Sequence, residues 1–361
     1  MYNLMNQLPL HSQQLLMTPQ ALMTAQPLNA TALATVRLAR DHINHIIQGK
    51  DRRLLVIVGP CSIHDTQAAM EYATLLKRAA EKFADDLCIV MRVYFEKPRT
   101  TIGWKGFISD PRLDGSFAIN DGLALARQLL LELNQLGMPA GTEFLDTIIP
   151  AYLSDLIAWC AIGARTVESQ THRELASGLE MPVGFKNNTD GNIKVAIDAV
   201  SVAQHPHRFL GITQEGKPAI ILTSGNPNCH VILRGSNTLP NYTANHVQET
   251  AGFLKDAGLM PRIMVDCSHG NSMKDEKRQR AVVRALIEQI KQGSTFINGV
   301  MLESNLVAGK QALQTKDALI YGQSVTDGCM GWEETLSVLE ELAFTCRGAN
   351  RETVPQWHYL K

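Results

Sequence analysis

The sequence has no long apolar run, no paired cysteine motif and no excess of either charge, and each absence removes a class of protein. The longest apolar stretches, such as Leu54–Val58, fall far short of the ~20 residues that cross a membrane. There is no basic run or tail, and 34 Lys+Arg against 35 Asp+Glu leave a formal net charge of −1. A general nucleic-acid binder would be basic overall, so neither nucleic acid nor membrane is an expected partner. The seven cysteines (Cys61, Cys88, Cys160, Cys229, Cys267, Cys329 and Cys346) form no CxxC and are odd in number. That argues against a disulfide framework and for a reducing cytoplasm. Met1-Tyr2-Asn3 opens no basic-then-apolar leader. No G-x-G-x-x-G follows the first apolar run, where Gly59-Pro60-Cys61-Ser62 stands instead. The 361 residues are 45% hydrophobic and 19% charged, a globular composition sufficient for one large domain or two ordinary ones.

Residues 1–50 read as an N-terminal extension. Thr18-Pro19 has the form of a helix start, with a capping Thr and Pro at the first position, and a helical pattern runs through Ala34–Ile47. From residue 51 a rhythm sets in. Short apolar runs occur at Leu54–Val58, Cys88–Val93, Ala140–Glu143, Thr166–Glu168, Val183–Lys186, His230–Arg234, Ile263–Asp266 and Ile297–Glu303. Helical patterns lie between them, including Gln67–Phe83, Gly122–Leu136, Ala151–Ile162 and Gln279–Gln292. Fully apolar strands alternating with helices indicate a parallel sheet, and eight such repeats over about 250 residues predict an α/β fold of the (β/α)8 TIM-barrel type. An open doubly wound sheet is the alternative. Residues 208–223 carry two apolar runs around Gln-Glu-Gly and predict an inserted β-hairpin.

In such a barrel, chemistry sits where strands end. Two groups of strand-end residues stand out. Cys61, His269, Glu303 and Asp327 offer a thiol, an imidazole and two carboxylates, a set suited to one divalent ion such as Mn, Fe, Co or Zn. Arg92, Lys97, Arg99, Arg165, Lys186 and Arg234 are cationic, and so many like charges at one barrel mouth call for anionic partners. Small phosphorylated substrates fit, since Arg pairs with phosphate and carboxylate in bidentate fashion. Taken singly, each residue has an ordinary explanation: a buried thiol is usually packing, and a lone Arg or Lys is usually a solvated charge.

Several long segments, in order, resemble one family. They are Gly59-Pro60-Cys61-Ser62-Ile63-His64-Asp65, MRVYFEKPRTTIGWKG from Met91, GARTVESQTHRELASGL from Gly163, PVGFKN from Pro182, HVILRG from His230, VDCSHGNS from Val265 and SVTDGCMGWE from Ser324. The sequence resembles the type I 3-deoxy-D-arabino-heptulosonate 7-phosphate (DAHP) synthases, in the microbial feedback-regulated subgroup nearest the tyrosine-sensitive isoenzymes. The resemblance implies a metal-dependent condensation of phosphoenolpyruvate with D-erythrose 4-phosphate, releasing phosphate, at the entry to aromatic amino-acid synthesis. It carries the metal ligands onto Cys61, His269, Glu303 and Asp327. It carries the phosphoenolpyruvate site onto Arg92, Lys97, Glu143, Gly163, Ala164, Arg165, Lys186 and Arg234, and the erythrose phosphate site onto Arg99 and Thr100. Lys97 is the expected proton or hydrogen-bond donor to the aldehyde oxygen. Lys-Pro-Arg-Thr at 97–100 favours the four-carbon aldose over the related eight-carbon sugar-acid synthase. Two further functions compete with this one: a Schiff-base aldolase built on Lys186, and an effector-binding protein with an inactive barrel.

The resemblance also implies a homotetramer, a dimer of dimers, feedback-inhibited by an aromatic amino acid. The effector pocket is expected near Pro150, Leu175, Leu179, Glu180, Phe209 and Gly211, with Ile220 and Ile221 of the hairpin. Gly211 leaves room for a phenolic hydroxyl, and Leu16-Met17-Thr18-Pro19 resembles the tyrosine-sensitive subgroup, so tyrosine is the favoured effector. Glu180 stands where relatives usually carry Ser, and an acidic group there would repel an effector carboxylate. Cys329 is expected close to Cys61.

Overall fold

The computed structural model describes residues 13–349. The first twelve residues of the expected extension, and residues 350–361, lie outside that range.

Eight strands close into one parallel barrel: β1 (Leu54–Gly59), β2 (Leu87–Arg92), β3 (Ala140–Glu143), β4 (Trp159–Ile162), β5 (Val183–Lys186), β8 (Cys229–Leu233), β9 (Ile263–Asp266) and β10 (Ile297–Glu303). The chain leaves the barrel between β5 and β8 to form an antiparallel hairpin, β6 (Arg208–Ile212) and β7 (Pro218–Leu222). Barrel closure pairs β1 with β10 in a register that sets Gly59 beside Glu303, so both strands finish at the same rim. Seven of the eight barrel strands overlap apolar runs expected from the sequence. The fourth does not. The sequence pattern predicts helix over Ala151–Ile162 and strand over Thr166–Glu168, but helix α5 (Pro150–Leu153) gives way to a 3-10 turn over Ser154–Leu156 and the chain then extends as β4. Thr166 and Val167 curl back instead, both donating N–H to Gly163 O. Four apolar residues buried on both faces carry no period that separates strand from helix.

Alternation along β1 assigns the two layers. Leu54, Val56 and Val58 face the surrounding helices, while Leu55 and Ile57 point into the barrel. The interior residues Trp159, Ile232, Met264 and Met301 join them, and so do Ala39, Ile43, Ile46 and Ile47 of α2 (Ala30–Ile47). Helix α2 ends just before β1 begins, so its apolar face closes the N-terminal end of the barrel and leaves the opposite end open. Before it, α1 (Pro19–Ala25) starts as the sequence predicts, with Thr18 Oγ1 accepting from Ala21 N. Around the barrel run α3 (Thr66–Lys82), α4 (Ile119–Gln135), α6 (Gln170–Ala176), α7 (Lys194–Ala203), α8 (Ala244–Asp256), α9 (Gln279–Lys291) and α10 (Trp332–Gly348). Among the described residues, no helix is long and apolar enough to cross a membrane.

Candidate active site

The C-terminal ends of the strands converge on a cavity of about 310 Å³. Arg92, Lys97, Arg99, Thr100, Glu143, Ala164, Arg165, Lys186, Arg234, His269 and Asp327 line it. Gly163 stands behind the wall: a Cβ there would lie 2.4 Å from Glu143 Oε1, so the glycine lets that carboxylate reach the cavity. Cys61 and Glu303 sit deeper, at the ends of β1 and β10, and both are buried.

The four expected metal ligands come together at this deep end. Cys61, Glu303 and Asp327 offer ligand atoms within 4.8 Å of one another. His269 joins them, its Nε2 3.8 Å from Glu303 Oε1. Burial, together with the Glu303 and Asp327 charges, pushes the Cys61 thiol up. A thiolate between two carboxylates needs cationic compensation, and a thiolate, two carboxylates and an imidazole form a donor set that fits a borderline divalent ion. Lys97 Nζ donates to Cys61 Sγ at 3.1 Å, and Arg92 Nη2 to Glu303 Oε1 at 3.1 Å. Burial alone would lower the Lys97 ammonium, but the Cys61 and Glu303 charges outweigh it and hold Lys97 above its ordinary range. Cys329 lies where expected, its Sγ accepting from Cys61 N at 3.4 Å.

The cationic end is built from other strands. Lys186, ending β5, reaches Glu143 Oε2 at 3.4 Å and Asp266 Oδ2 at 3.5 Å. Burial would raise the Glu143 carboxyl, but Lys186 and Lys97 hold it below the usual carboxylate range. Arg165 and Arg234 complete one wall, and Arg99 and Thr100 lie at the exposed rim, where Arg99 Nε donates to Trp104 O at 2.7 Å.

Several residues of this site carry no role that the sequence alone assigns. Tyr94 is fully enclosed beneath three cations: Arg92 Cζ is 3.8 Å from its ring centroid, Lys97 Nζ 5.6 Å and Lys186 Nζ 5.8 Å. Its signal is present, since Arg92 and Tyr94 share one side of an extended chain. Glu96 accepts from Leu145 N and Asp146 N and ties two rim loops together. Lys274, with φ of 60°, adds a seventh cation to the cavity. Asp266 is visible in the sequence as a strand end, without a function attached.

A sequence profile described as the DAHP synthetase I family matches residues 25–340. The chain belongs to that family. It is 56% identical to the Phe-sensitive phospho-2-dehydro-3-deoxyheptonate aldolase of Escherichia coli K12, over 91% of this chain and 93% of that one. It is 52% identical to the Tyr-sensitive enzyme of the same name from Salmonella typhimurium, over 94% and 95%. A solved phospho-2-dehydro-3-deoxyheptonate aldolase from Francisella tularensis superposes with a TM-score of 0.92 at 54% identity, covering 95% of this chain and 99% of that chain.

A second cavity of about 550 Å³ lies between the hairpin and the barrel flank. Pro150, Leu175, Leu179, Glu180, Phe209 and Gly211 all line it, as does Ile221. Ile220 does not: strand alternation turns it outward, where it is 69% exposed. Glu180 is drawn aside, its Oε2 2.8 Å from Arg40 Nη1 of α2.

Proposed function

We propose that the chain condenses phosphoenolpyruvate with D-erythrose 4-phosphate to give 3-deoxy-D-arabino-heptulosonate 7-phosphate and phosphate, the first step of the shikimate pathway. The observation that carries this reading is the meeting, in one cavity, of cations from several strands with a thiol–imidazole–carboxylate cluster. Cys61, His269, Glu303 and Asp327 would hold one divalent ion, of the Mn, Fe, Co or Zn class, which supplies Lewis acidity to the aldehyde oxygen.

The protein's own groups do the rest. Arg165, Arg234 and Lys186 bind the phosphate and carboxylate of phosphoenolpyruvate and stabilise the leaving phosphate. Arg92, fixed by Glu303 and stacked on Tyr94, closes the floor. Arg99 and Thr100 take the aldose phosphate at the rim, which orients the aldehyde toward the interior. Lys97, charged and held against Cys61, donates to the aldehyde oxygen as the new C–C bond forms. Glu143, ionised beside Lys186, is placed to orient the water that adds at C2 of phosphoenolpyruvate. Lys186 lies between two carboxylates, a setting that suits an anion anchor and disfavours Schiff-base chemistry.

The same reading assigns residues 51–361 to catalysis, and residues 1–50 with the hairpin to regulation and assembly, in a cytoplasmic homotetramer. The second cavity is the proposed effector pocket, with tyrosine favoured over phenylalanine and tryptophan. Coupled phosphate release from phosphoenolpyruvate, measured across aldose phosphates with and without EDTA, tests the reaction. Release with erythrose 4-phosphate that EDTA abolishes and divalent ions restore is expected; activity unaffected by EDTA and shared equally by arabinose 5-phosphate would overturn it.

A further inference from the structure

Asp266 ends β9 with no exposed surface, among groups that the reaction uses, yet none of the steps above employs it. Its Oδ1 accepts from Ser268 N at 3.0 Å and from Ser268 Oγ at 2.6 Å. Its Oδ2 lies 2.8 Å from His269 Nδ1 and 3.5 Å from Lys186 Nζ, as charge contacts without hydrogen-bond geometry, while Ser268 Oγ stands 2.8 Å from the same Nδ1. The backbone is shaped for the first of these contacts. His269 takes a left-handed φ of 51°, uncommon for a residue with a Cβ, and Lys274 N closes the turn onto His269 O at 2.7 Å. The turn folds the ring back over the carboxylate three residues earlier. With Nδ1 against Asp266, the free edge of the ring, Nε2, faces Glu303.

We propose that Asp266 is a positioning residue shared by the two halves of the active site. Its Oδ1, through the Ser268 hydroxyl it holds, and its Oδ2, by direct contact, set the orientation of the His269 ring, so that Nε2 is presented to the metal-ligand cluster. The same Oδ2 supplies one of the two carboxylate contacts that locate Lys186 for phosphoenolpyruvate. A carboxylate behind a metal-ligating histidine fixes its ring and tautomer, and loss of such partners typically lowers metal affinity 10–100-fold. Here the carboxylate reaches further, because Lys186 belongs to the anion site. Removing the charge at 266 therefore weakens both sites at once, which an effect on His269 alone would not do. The inference rests on the proposed metal and phosphoenolpyruvate assignments.

The test uses the full chain, stripped of metal and titrated with Co2+ against a competing chelator, followed by phosphoenolpyruvate KM at saturating Co2+. Asp266→Asn is expected to bind Co2+ about 10–100-fold more weakly and to raise the phosphoenolpyruvate KM about tenfold. Thermal unfolding checks that the variant is folded, and Asp266→Ser is the second variant if the amide is not tolerated. On the metal-free wild type, 15N shifts of His269 should report a proton on Nδ1. A folded variant matching wild type in both affinities, loss of stability alone, or a neutral His269 ring with its proton on Nε2 each overturns the proposal. A wild-type chain that binds no Co2+ removes the metal assignment instead, and the parallel titration separates that failure from this one.

Discussion

At Gly163, a Cβ would meet the side chain of Glu143 at 2.4 Å, and that side chain is already held between Lys186 and the cavity. Gly163→Ala must therefore push Glu143 off its position while leaving the barrel core untouched. A loss of at least tenfold in kcat/KM, about 1.4 kcal/mol in the barrier, is expected with little change in thermal unfolding; an unimpaired variant would show that Glu143 has no exacting place in the reaction. His230 makes a different prediction. It is buried in β8, its Nε2 facing Trp159 Nε1 at 3.4 Å, and burial lowers its pKa from 6.5 to about 4. With the folded pKa below the unfolded one, its stabilising effect is complete above pH 6.5. It is lost as pH falls toward 4, by on the order of 3 kcal/mol. His230→Gln keeps an acceptor for Trp159 without titrating, so its denaturation midpoint should fall less than that of wild type between pH 7 and pH 4.5. Equal slopes would mean that folding leaves the His230 pKa unchanged. Residues of this kind mark the limit of what the sequence displays. Arg92, Lys186 and Arg234 are legible because a charge ending an apolar strand is conspicuous. Tyr94 and Asp266 also stand at or beside strand ends, but their roles are not legible until their partners are in place.

Among the elements, the barrel strands that end in a charge or a Gly-Pro are readable, because apolar runs of four to seven residues set against longer helical patterns fix both type and order. Strand β4 is not readable because helix, turn and strand follow one another within thirteen residues, Pro150–Ile162, with only Ser154-Asp155 interrupting the apolar character. The link between α2 and the second cavity is also hidden, being a contact across 140 residues. Arg40 donates through Nε to Ile157 O at 3.0 Å, through Nη2 to Ser154 O at 2.6 Å and through Nη1 to Glu180. The expected repulsion between Glu180 and an effector carboxylate is thus partly neutralised by Arg40, whose side chain stays mostly buried. Overall identity does not choose the effector, since the Phe-sensitive and Tyr-sensitive relatives stand at 56% and 52%. The proposed choice of tyrosine rests on Gly211, where an added Cβ would sit 2.7 Å from Ile221 Cγ1. Inhibition curves with Phe, Tyr and Trp should show Tyr as the strongest, and Glu180→Gln should tighten it severalfold by removing the remaining negative charge. Unchanged Tyr inhibition in that variant would mean the effector's carboxylate is bound elsewhere.

For the molecule as a whole, the proposed reading has the hairpin join sensing to assembly through strand alternation. Phe209, Gly211 and Ile221 face the second cavity, while the residues between them point the other way. Leu210 and Ile220 are directly paired across the two strands and are 85% and 69% exposed. An apolar outer face on a two-stranded insert, with α1 and the residues before it close by through the Gln20 N to Gln214 O bond, is a surface that water disfavours. A second copy of the chain would cover it, and a self-complementary patch of this kind favours twofold pairing. The near-neutral net charge adds little long-range repulsion to oppose it. On the reading proposed above, the homotetramer depends on the hairpin's outer face and feedback on its inner face. The double variant Leu210→Glu/Ile220→Glu should sediment as a smaller species than wild type and lose amino-acid inhibition, because the inner face is held only as firmly as the outer one is covered. Turnover should survive, since the barrel mouth is formed within a single chain. A variant that still sediments as a tetramer would place the interface on another surface. One that dissociates but keeps full inhibition would separate sensing from assembly and leave the cavity complete in a lone subunit.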